Sequence, residues 1–217
     1  MTTLEEFSAL VADIYDAALD PTLWEQSLKK IATAAGGNVG ALLVYDSKSP
    51  LRPHIITVNL DPVQKRNYDE YYGRLDPLAP TLARTPAGVI VSNCAVTTDA
   101  QRRGEFYNDW AYPNEMGDNI VVNILDSTDG PCTLAIAHPS RSELFATPEV
   151  LRLVNLLVPH LRRALKAQLD FGPLSLIRNG ALDLVEHWRH GCVLVSFAGQ
   201  SFTQIEPQPK LLGRGTG

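Results

Sequence analysis

The sequence predicts a mixed α/β (α+β) sandwich, with a largely antiparallel sheet flanked by helices and a long C-terminal helix closing the domain. Three observations carry this prediction. Two amphipathic helical stretches open the chain. Short apolar runs bounded by turn residues come next. The longest periodic stretch comes last, behind a pair of strands joined by a tight turn.

Leu4, Phe7, Val11, Ile14 and Ala18 recur at three- and four-residue spacing, which places them on one helical face. Thr3 and Glu6 have the spacing of a capping box at its start. Asp20-Pro21 opens a second helix, because an aspartate accepts orphan N–H bonds and proline suits the first helical position. Trp24, Leu28 and Ile31 form its apolar face, and Gly36-Gly37 ends it. Ala41-Leu42-Leu43-Val44-Tyr45 reads as a buried strand, with His54 to Asn59 as its neighbour.

Asp61-Pro62 starts a third helix, reaching about Tyr72. A loop carrying Asp76-Pro77 and Pro80 leads to a short strand at Val89-Ile90-Val91. One helix is expected from Thr98 through Phe106, Tyr107 and Trp110, stopped by Pro113-Asn114. Strands near Asn119–Leu125 and Cys132–His138 flank Ser127-Thr128-Asp129-Gly130, a hairpin turn, and pair antiparallel.

The closing helix begins at Thr147-Pro148-Glu149, with Val150, Val154, Leu157, Leu161, Leu165 and Gln168 along one face. About 22 residues give a rod of about 33 Å. Pro159 should bend it, and Arg162, Arg163 and Lys166 near its expected C-terminal end oppose the helix dipole. Such a rod serves either as a dimer seam or as packing across the sheet. After Phe171-Gly172-Pro173 a short helix at 181–185 and a strand at Cys192–Val195 are expected. From Gln200 to Gly217 two prolines, three glycines and no period predict a flexible tail. The element order is that of a GAF/PAS-like sandwich.

The chain has 217 residues, enough for one core without a disulfide or metal staple. Asp and Glu number 24 against 19 Lys and Arg, a net charge of −5, which argues against direct nucleic-acid binding. No apolar run approaches the roughly 20 residues that span a bilayer, so no membrane association is expected. An acidic N-terminus and three widely spaced cysteines predict a cytoplasmic protein with reduced thiols.

Catalytic signatures are few, and no catalytic residue, cofactor or metal site is expected. His187, His190 and Cys192 lie close in sequence without a fourth ligand, so a wet helix end is the better reading. Cys94, in a loop, has no histidine partner, and His138 reads as a capped strand end. The informative cluster is aromatic: Tyr68, Tyr71 and Tyr72 before Asp76-Pro77, and Phe106, Tyr107 and Trp110 further on. Rings with polar tips and one carboxylate suit a small-molecule pocket, and from the residues alone they suit a core, with Asp76 capping a turn, somewhat better.

Four segments carry a resemblance: Ile14 to Pro21 with Trp24, Tyr68-Asp69-Glu70-Tyr71-Tyr72 with Asp76-Pro77, Gly104 to Trp110, and Pro159 to Leu165. In their order and spacing they resemble the N-terminal sensor region of LuxR-type helix-turn-helix transcriptional regulators, over about 7–170. The Tyr/Asp-Pro segment also resembles acyl-homoserine-lactone receptors. There the matching aspartate holds the ligand amide, so the resemblance implies ligand contacts at Asp76, Tyr72, Tyr68, Tyr107 and Trp110. The receptors carry a tryptophan shortly after Asp-Pro, which Thr85 to Ile90 lacks. That departure speaks against an acyl-homoserine lactone as ligand.

The resemblance implies a sensor domain at 1–170 and, at 171–217, a fragment of a PAS-like segment ending in a disordered tail. The helix-turn-helix that the family carries is not in this sequence, and a shifted reading frame near codons 196–201 would account for that. The expected function is a ligand-sensing and dimerisation module binding an unidentified small molecule. Its expected partners are a second copy or a full-length regulator. The alternatives are a small enzyme on a GAF-like fold and a ligand-free dimerisation module antagonising full-length regulators.

Overall fold

The computed structural model describes residues 2–44, 54–125, 132–140, 144–187, 192–195 and 201–205. The chain divides into two units, Met1–Leu169 and Asp170–Gly217.

In the first unit, α1 (Leu4–Leu19) begins at the expected capping box. The Thr3 hydroxyl accepts from the Glu6 N–H at 3.1 Å, and the Glu6 carboxylate accepts from the Thr3 N–H at 2.8 Å. Asp20 caps the next helical segment by accepting from the Thr22 N–H at 3.1 Å. The first turn of that segment, Pro21–Leu23, is 3₁₀, so the α-helix proper, α2 (Trp24–Ala34), starts three residues later than Pro21. Gly36 ends the segment at φ +80°, a backbone state that glycine adopts without strain.

The sheet has five strands: β1 (Val39–Val44), β2 (His54–Val58), β3 (Ile90–Ser92), β4 (Asp118–Leu125) and β5 (Cys132–His138). They lie in the order β2-β1-β5-β4-β3, and every neighbouring pair is antiparallel. The expected strands and the β4/β5 pairing are all present. The predicted turn between them, Ser127 to Gly130, lies outside the described residues.

Successive strand residues point to opposite faces, and here the two faces have different tasks. Leu42, Val58, Ile120, Val122, Ile124, Leu134 and Ile136 pack on one side. They meet Leu10, Ile14 and Ala17 of α1, and Trp24, Leu28 and Ile31 of α2. This is the main core. The opposite face is roofed by shorter elements: α3 (Pro62–Glu70), a 3₁₀ turn at Tyr72–Leu75, α4 (Ala79–Leu82), α5 (Asn93–Val96), α6 (Asp99–Arg102) and a π-helical turn at Phe106–Ala111. The single helix expected from Thr98 to Trp110 is therefore two pieces, because the chain turns at Gly104, whose N–H bonds the Gln101 carbonyl at 2.9 Å. Cys94 lies in α5 rather than in a loop.

The closing helix, α7 (Pro148–His187), is 40 residues long, not about 22. It runs through Pro159, which is exposed, and continues past Gly172-Pro173, absorbing the separate helix expected at 181–185. Proline removes one N–H and weakens a helix locally, and the ladder on either side carries the helix past it. Arg162, Arg163 and Lys166 consequently lie mid-helix, away from the C-terminal dipole. Leu153, Val154, Leu157, Leu161, Ala164 and Leu165 are buried in the main core, so this part of α7 packs within its own unit.

The second unit holds the end of α7 and an antiparallel pair, β6 (Cys192–Val195) and β7 (Ser201–Ile205). β7 falls within the stretch expected to be tail and corrects that expectation for five residues: Phe202, Thr203 and Ile205 favour a strand once β6 offers a partner. Residues 206–217 and 188–191 lie outside the described residues, and the latter include His190 of the His/Cys grouping.

Candidate functional site

Between the sheet and its roof lies a cavity of about 150 Å³. Its floor is the second face of the sheet: Val39, Ala41 and Leu43 of β1, Ile55 and Thr57 of β2, Asn119 and Val121 of β4, and Thr133, Ala135 and Ala137 of β5. The register explains why space is left. Ala135 lies between Ala41 and Val121, and Ala137 between Val39 and Asn119. Small side chains on the central strand, flanked by small or medium ones, leave the roof unable to close onto the floor. The signal was present in β5, where Thr133, Ala135 and Ala137 alternate with the bulky Leu134 and Ile136. A reading by apolarity alone passes over it, since alanine and leucine count alike.

The roof supplies Leu60, Tyr68, Asp76, Leu78, Leu82, Phe106, Trp110 and Met116. Tyr68 projects from α3 with its ring 4.9 Å from Trp110 and 6.5 Å from Phe106, and Phe106 lies 5.4 Å from Trp110. The π-helical turn puts Phe106 and Trp110 together on the cavity side, and its widened winding shows in the Tyr112 N–H bond to the Tyr107 carbonyl at 2.8 Å. The Trp110 indole N–H donates to the Gln64 carbonyl at 3.0 Å, which fixes the ring against α3.

Asp76 is the one carboxylate inside the cavity; Asp69 stands at its exposed edge, paired with Lys65 at 2.7 Å. Pro77 holds Asp76 extended at φ −65°, ψ 112°. Its Oδ1 accepts from the Leu78 N–H at 2.8 Å, and its Oδ2 accepts from the Tyr68 hydroxyl at 2.8 Å. Burial pushes the carboxyl above its ordinary value, and the two donors oppose that shift. Asp76 thus caps a turn and also lines the cavity.

Of the five residues singled out from the sequence, the structure brings Asp76, Tyr68 and Trp110 to the cavity. Tyr72 stands behind the wall, stacked on Trp110 at 6.2 Å. Tyr107 points away. It is 1% exposed and donates to Asn93 Oδ1 at 2.7 Å, inside a separate polar group that includes Thr97. Neither lines the cavity. Tyr107 meets Phe106 edge-on, ring centroids 5.2 Å apart, and so backs the wall while Phe106 faces the cavity. Tyr71 is exposed beneath the Arg74 guanidinium at 4.5 Å.

The remaining candidates have simpler roles. Burial raises the Cys94 thiol and pushes the Cys132 thiol up to about 12, so neither offers a ready thiolate. His138 ends β5, accepts from the Ser140 N–H at 3.1 Å and stacks on Phe145 at 5.4 Å, as a strand-end cap does. Among the described residues no helix is long and apolar enough to cross a membrane.

No protein-family profile and no curated protein matches the chain. Solved structures do. The ligand-binding domain of VqsR from Pseudomonas aeruginosa superposes with a TM-score of 0.57 at 19% identity, over 76% of this chain and 96% of that one. CepR2 from Burkholderia cenocepacia, described as an N-acylhomoserine-lactone-dependent LuxR-family transcription factor, superposes with a TM-score of 0.53 at 18% identity, over 75% of this chain and 94% of that one. The chain thus has the fold of these regulator ligand-binding domains, in agreement with the fold expected from its sequence.

Proposed function

We propose that this chain is the small-molecule-sensing module of a LuxR-type transcriptional regulator. The fold supports this reading, and the observation that carries it is the cavity: an apolar floor, an aromatic wall and one partly buried carboxylate. That composition suits a small ligand whose body is apolar and whose orientation is set by a few polar groups. In this reading Asp76 anchors the ligand, Tyr68 and Trp110 contact it, and Tyr72 and Tyr107 support the wall from behind. The module is cytoplasmic, performs no catalysis and dimerises with itself or with a full-length regulator.

A ligand moves such a domain only through better binding to one conformation than to another. The test is a melting-temperature and calorimetric titration of the chain with small apolar rings and with short-chain N-acylhomoserine lactones, in wild type and in Ala135→Leu, which fills the floor. A ligand at a hundred times its Kd stabilises by about 2.7 kcal/mol. Stabilisation of wild type that Ala135→Leu abolishes supports the reading. Binding that survives the filled floor places the ligand elsewhere and overturns it.

A further inference from the structure

Among the described residues, two other than glycine hold left-handed backbone: Asn59 at φ +57° and Glu115 at φ +60°. Glycine adopts that state without strain, asparagine tolerates it, and a glutamate there is uncommon. Their side chains show what is gained. The Glu115 carboxylate accepts from Asn38 Nδ2 at 2.5 Å, and Asn59 Nδ2 donates to the Asn38 main-chain oxygen at 2.6 Å. Asn38 thus joins the two into one clasp. Each of the three stands directly before a residue that lines the cavity: Asn38 before Val39, Asn59 before Leu60 and Glu115 before Met116.

Two members of the clasp are backed by the sheet. Gly37, before Asn38, is pressed so closely on Ile136 and Ala137 of β5 that a side chain would not fit. Gly117, after Met116, is pressed likewise on the carbonyls of Pro139 and Ser140. Asn59 is exposed, and behind it come Leu60 and α3, a helix with no buried residue. This helix nevertheless supplies Lys65, Tyr68 and Asp69 to the cavity, and Asp69 alone among the lining residues is exposed. The cavity therefore meets solvent at α3.

Opposing terms act on the clasp. Closure gains two hydrogen bonds. Opening frees two left-handed residues and wets Asn38 Oδ1, which is buried without a partner. A segment with little burial opens readily, and hinges are a few positions at element ends that absorb a change of φ and ψ.

We propose that α3 is the lid of the cavity, hinged at Asn59, and that Asn38, Asn59 and Glu115 are positioning residues that set how often it opens. The inference rests on the reading of the cavity as a ligand site. None of the three lines the cavity, and the clasp is closed both before a ligand enters and after. Loosening it speeds entry and escape alike and leaves the affinity unchanged.

The test is Asn59→Gly combined with Glu115→Gly in the intact chain. Glycine keeps both backbone states and removes both side-chain bonds. Fluorobenzene is the probe, since a dry apolar cavity of about 150 Å³ admits benzene and this cavity has that volume. Fluorine NMR exchange gives the rates, and a titration gives Kd. The double variant should bind and release the probe about tenfold faster at an unchanged Kd, and the amides of residues 62–70 should exchange severalfold faster. Glu115→Gln, which retains an acceptor for Asn38, should stay close to wild type. Unchanged probe rates overturn the lid. So does a weaker Kd at an unchanged entry rate, because the clasp then shapes the cavity. Faster rates with unchanged exchange at 62–70 overturn it too, because another element then moves. Should the double variant not fold, Glu115→Gly alone decides by the same readings. Failure of fluorobenzene to bind wild type overturns the proposed function itself, and the lid with it.

Discussion

Arg162 of α7 donates from Nε to the main-chain oxygen of Ile124 at 2.9 Å, at the point where β4 slips its register against β5 between Asn123 and Leu125. The neighbouring Asn123 side chain donates to the carbonyls of Leu82 and Thr85 at 2.9 and 3.0 Å and accepts from Thr133, and Leu82 and Thr133 both line the cavity. A short chain of bonds therefore runs from the cavity wall through two adjacent residues of β4 to the closing helix. Arg162→Leu removes the last link. It should cost about 1 kcal/mol, given the exposed guanidinium, and should speed hydrogen exchange around residues 158–166 more than elsewhere in α7. Urea unfolding and exchange mass spectrometry measure both, and unchanged exchange there would mean that the link carries no strain between the two elements.

The two faces of the sheet should answer differently to substitution. Ile136→Ala on the core face leaves a void in the main core and should cost about 2–5 kcal/mol, since Ile136 is 1% exposed. Its neighbour Ala135 faces the cavity. Ala135→Val adds bulk to empty space, so stability should change by less than about 1 kcal/mol while ring probes lose at least tenfold in affinity. Denaturant midpoints and calorimetry separate the two outcomes.

Asp76 makes stability depend on pH in a stated direction. Its folded carboxyl titrates above the ordinary value of 3.8, chiefly because burial disfavours the charge. A raised acid contributes stability that is fully present below the unfolded pKa and is lost as pH rises through the folded one. Asp76→Asn, which keeps the shape of the protonated form, should therefore gain on wild type as pH rises through that window and then hold a constant lead. Melting curves from pH 3 to 8 show it, and a difference independent of pH would mean that burial does not perturb this carboxyl.

Gln168 stands at the end of the apolar face of α7 for a reason that spacing alone does not give. Its Oε1 accepts from the Trp24 indole N–H at 2.6 Å, and Trp24 is 2% exposed. Gln168→Leu completes the apolar stripe and leaves that N–H without its acceptor. The variant should lose about 1–3 kcal/mol, and Gln168→Glu, which retains an acceptor, should lose less. Equal losses in the two would show that packing, not the bond, matters at this position.

These sites also show what was legible in the sequence. Thr3 and Glu6, Asp20 and Gly36 act through local bonds, and local bonds leave spacing signatures, so the helix starts and stops were readable to within a few residues. The strands were readable for a different reason, as short apolar runs bounded by turn residues, while their pairing is non-local. The aromatic cluster was visible, but its division into wall and support was not. Phe106 lines the cavity while Tyr107, in edge-on contact with it at 5.2 Å, lies behind, on a π-helical turn that no residue type announces. The length of α7 was hidden behind Gly172-Pro173, a pair that usually stops a helix and here does not. Trp110 was expected as a ligand contact, yet its N–H is held by the Gln64 carbonyl, 46 positions away, a partnership only the fold creates.

The strict alternation in β1 and β5 has a consequence for how such a protein changes over generations. Residues 42, 134 and 136 belong to the core, and residues 41, 43, 133, 135 and 137 to the cavity floor. A single nucleotide change in one of these codons therefore bears either on whether the chain folds or on the shape of the cavity, and seldom on both. Lineages descended from this gene can recarve that hollow one odd-numbered position at a time, with the even-numbered positions holding the frame.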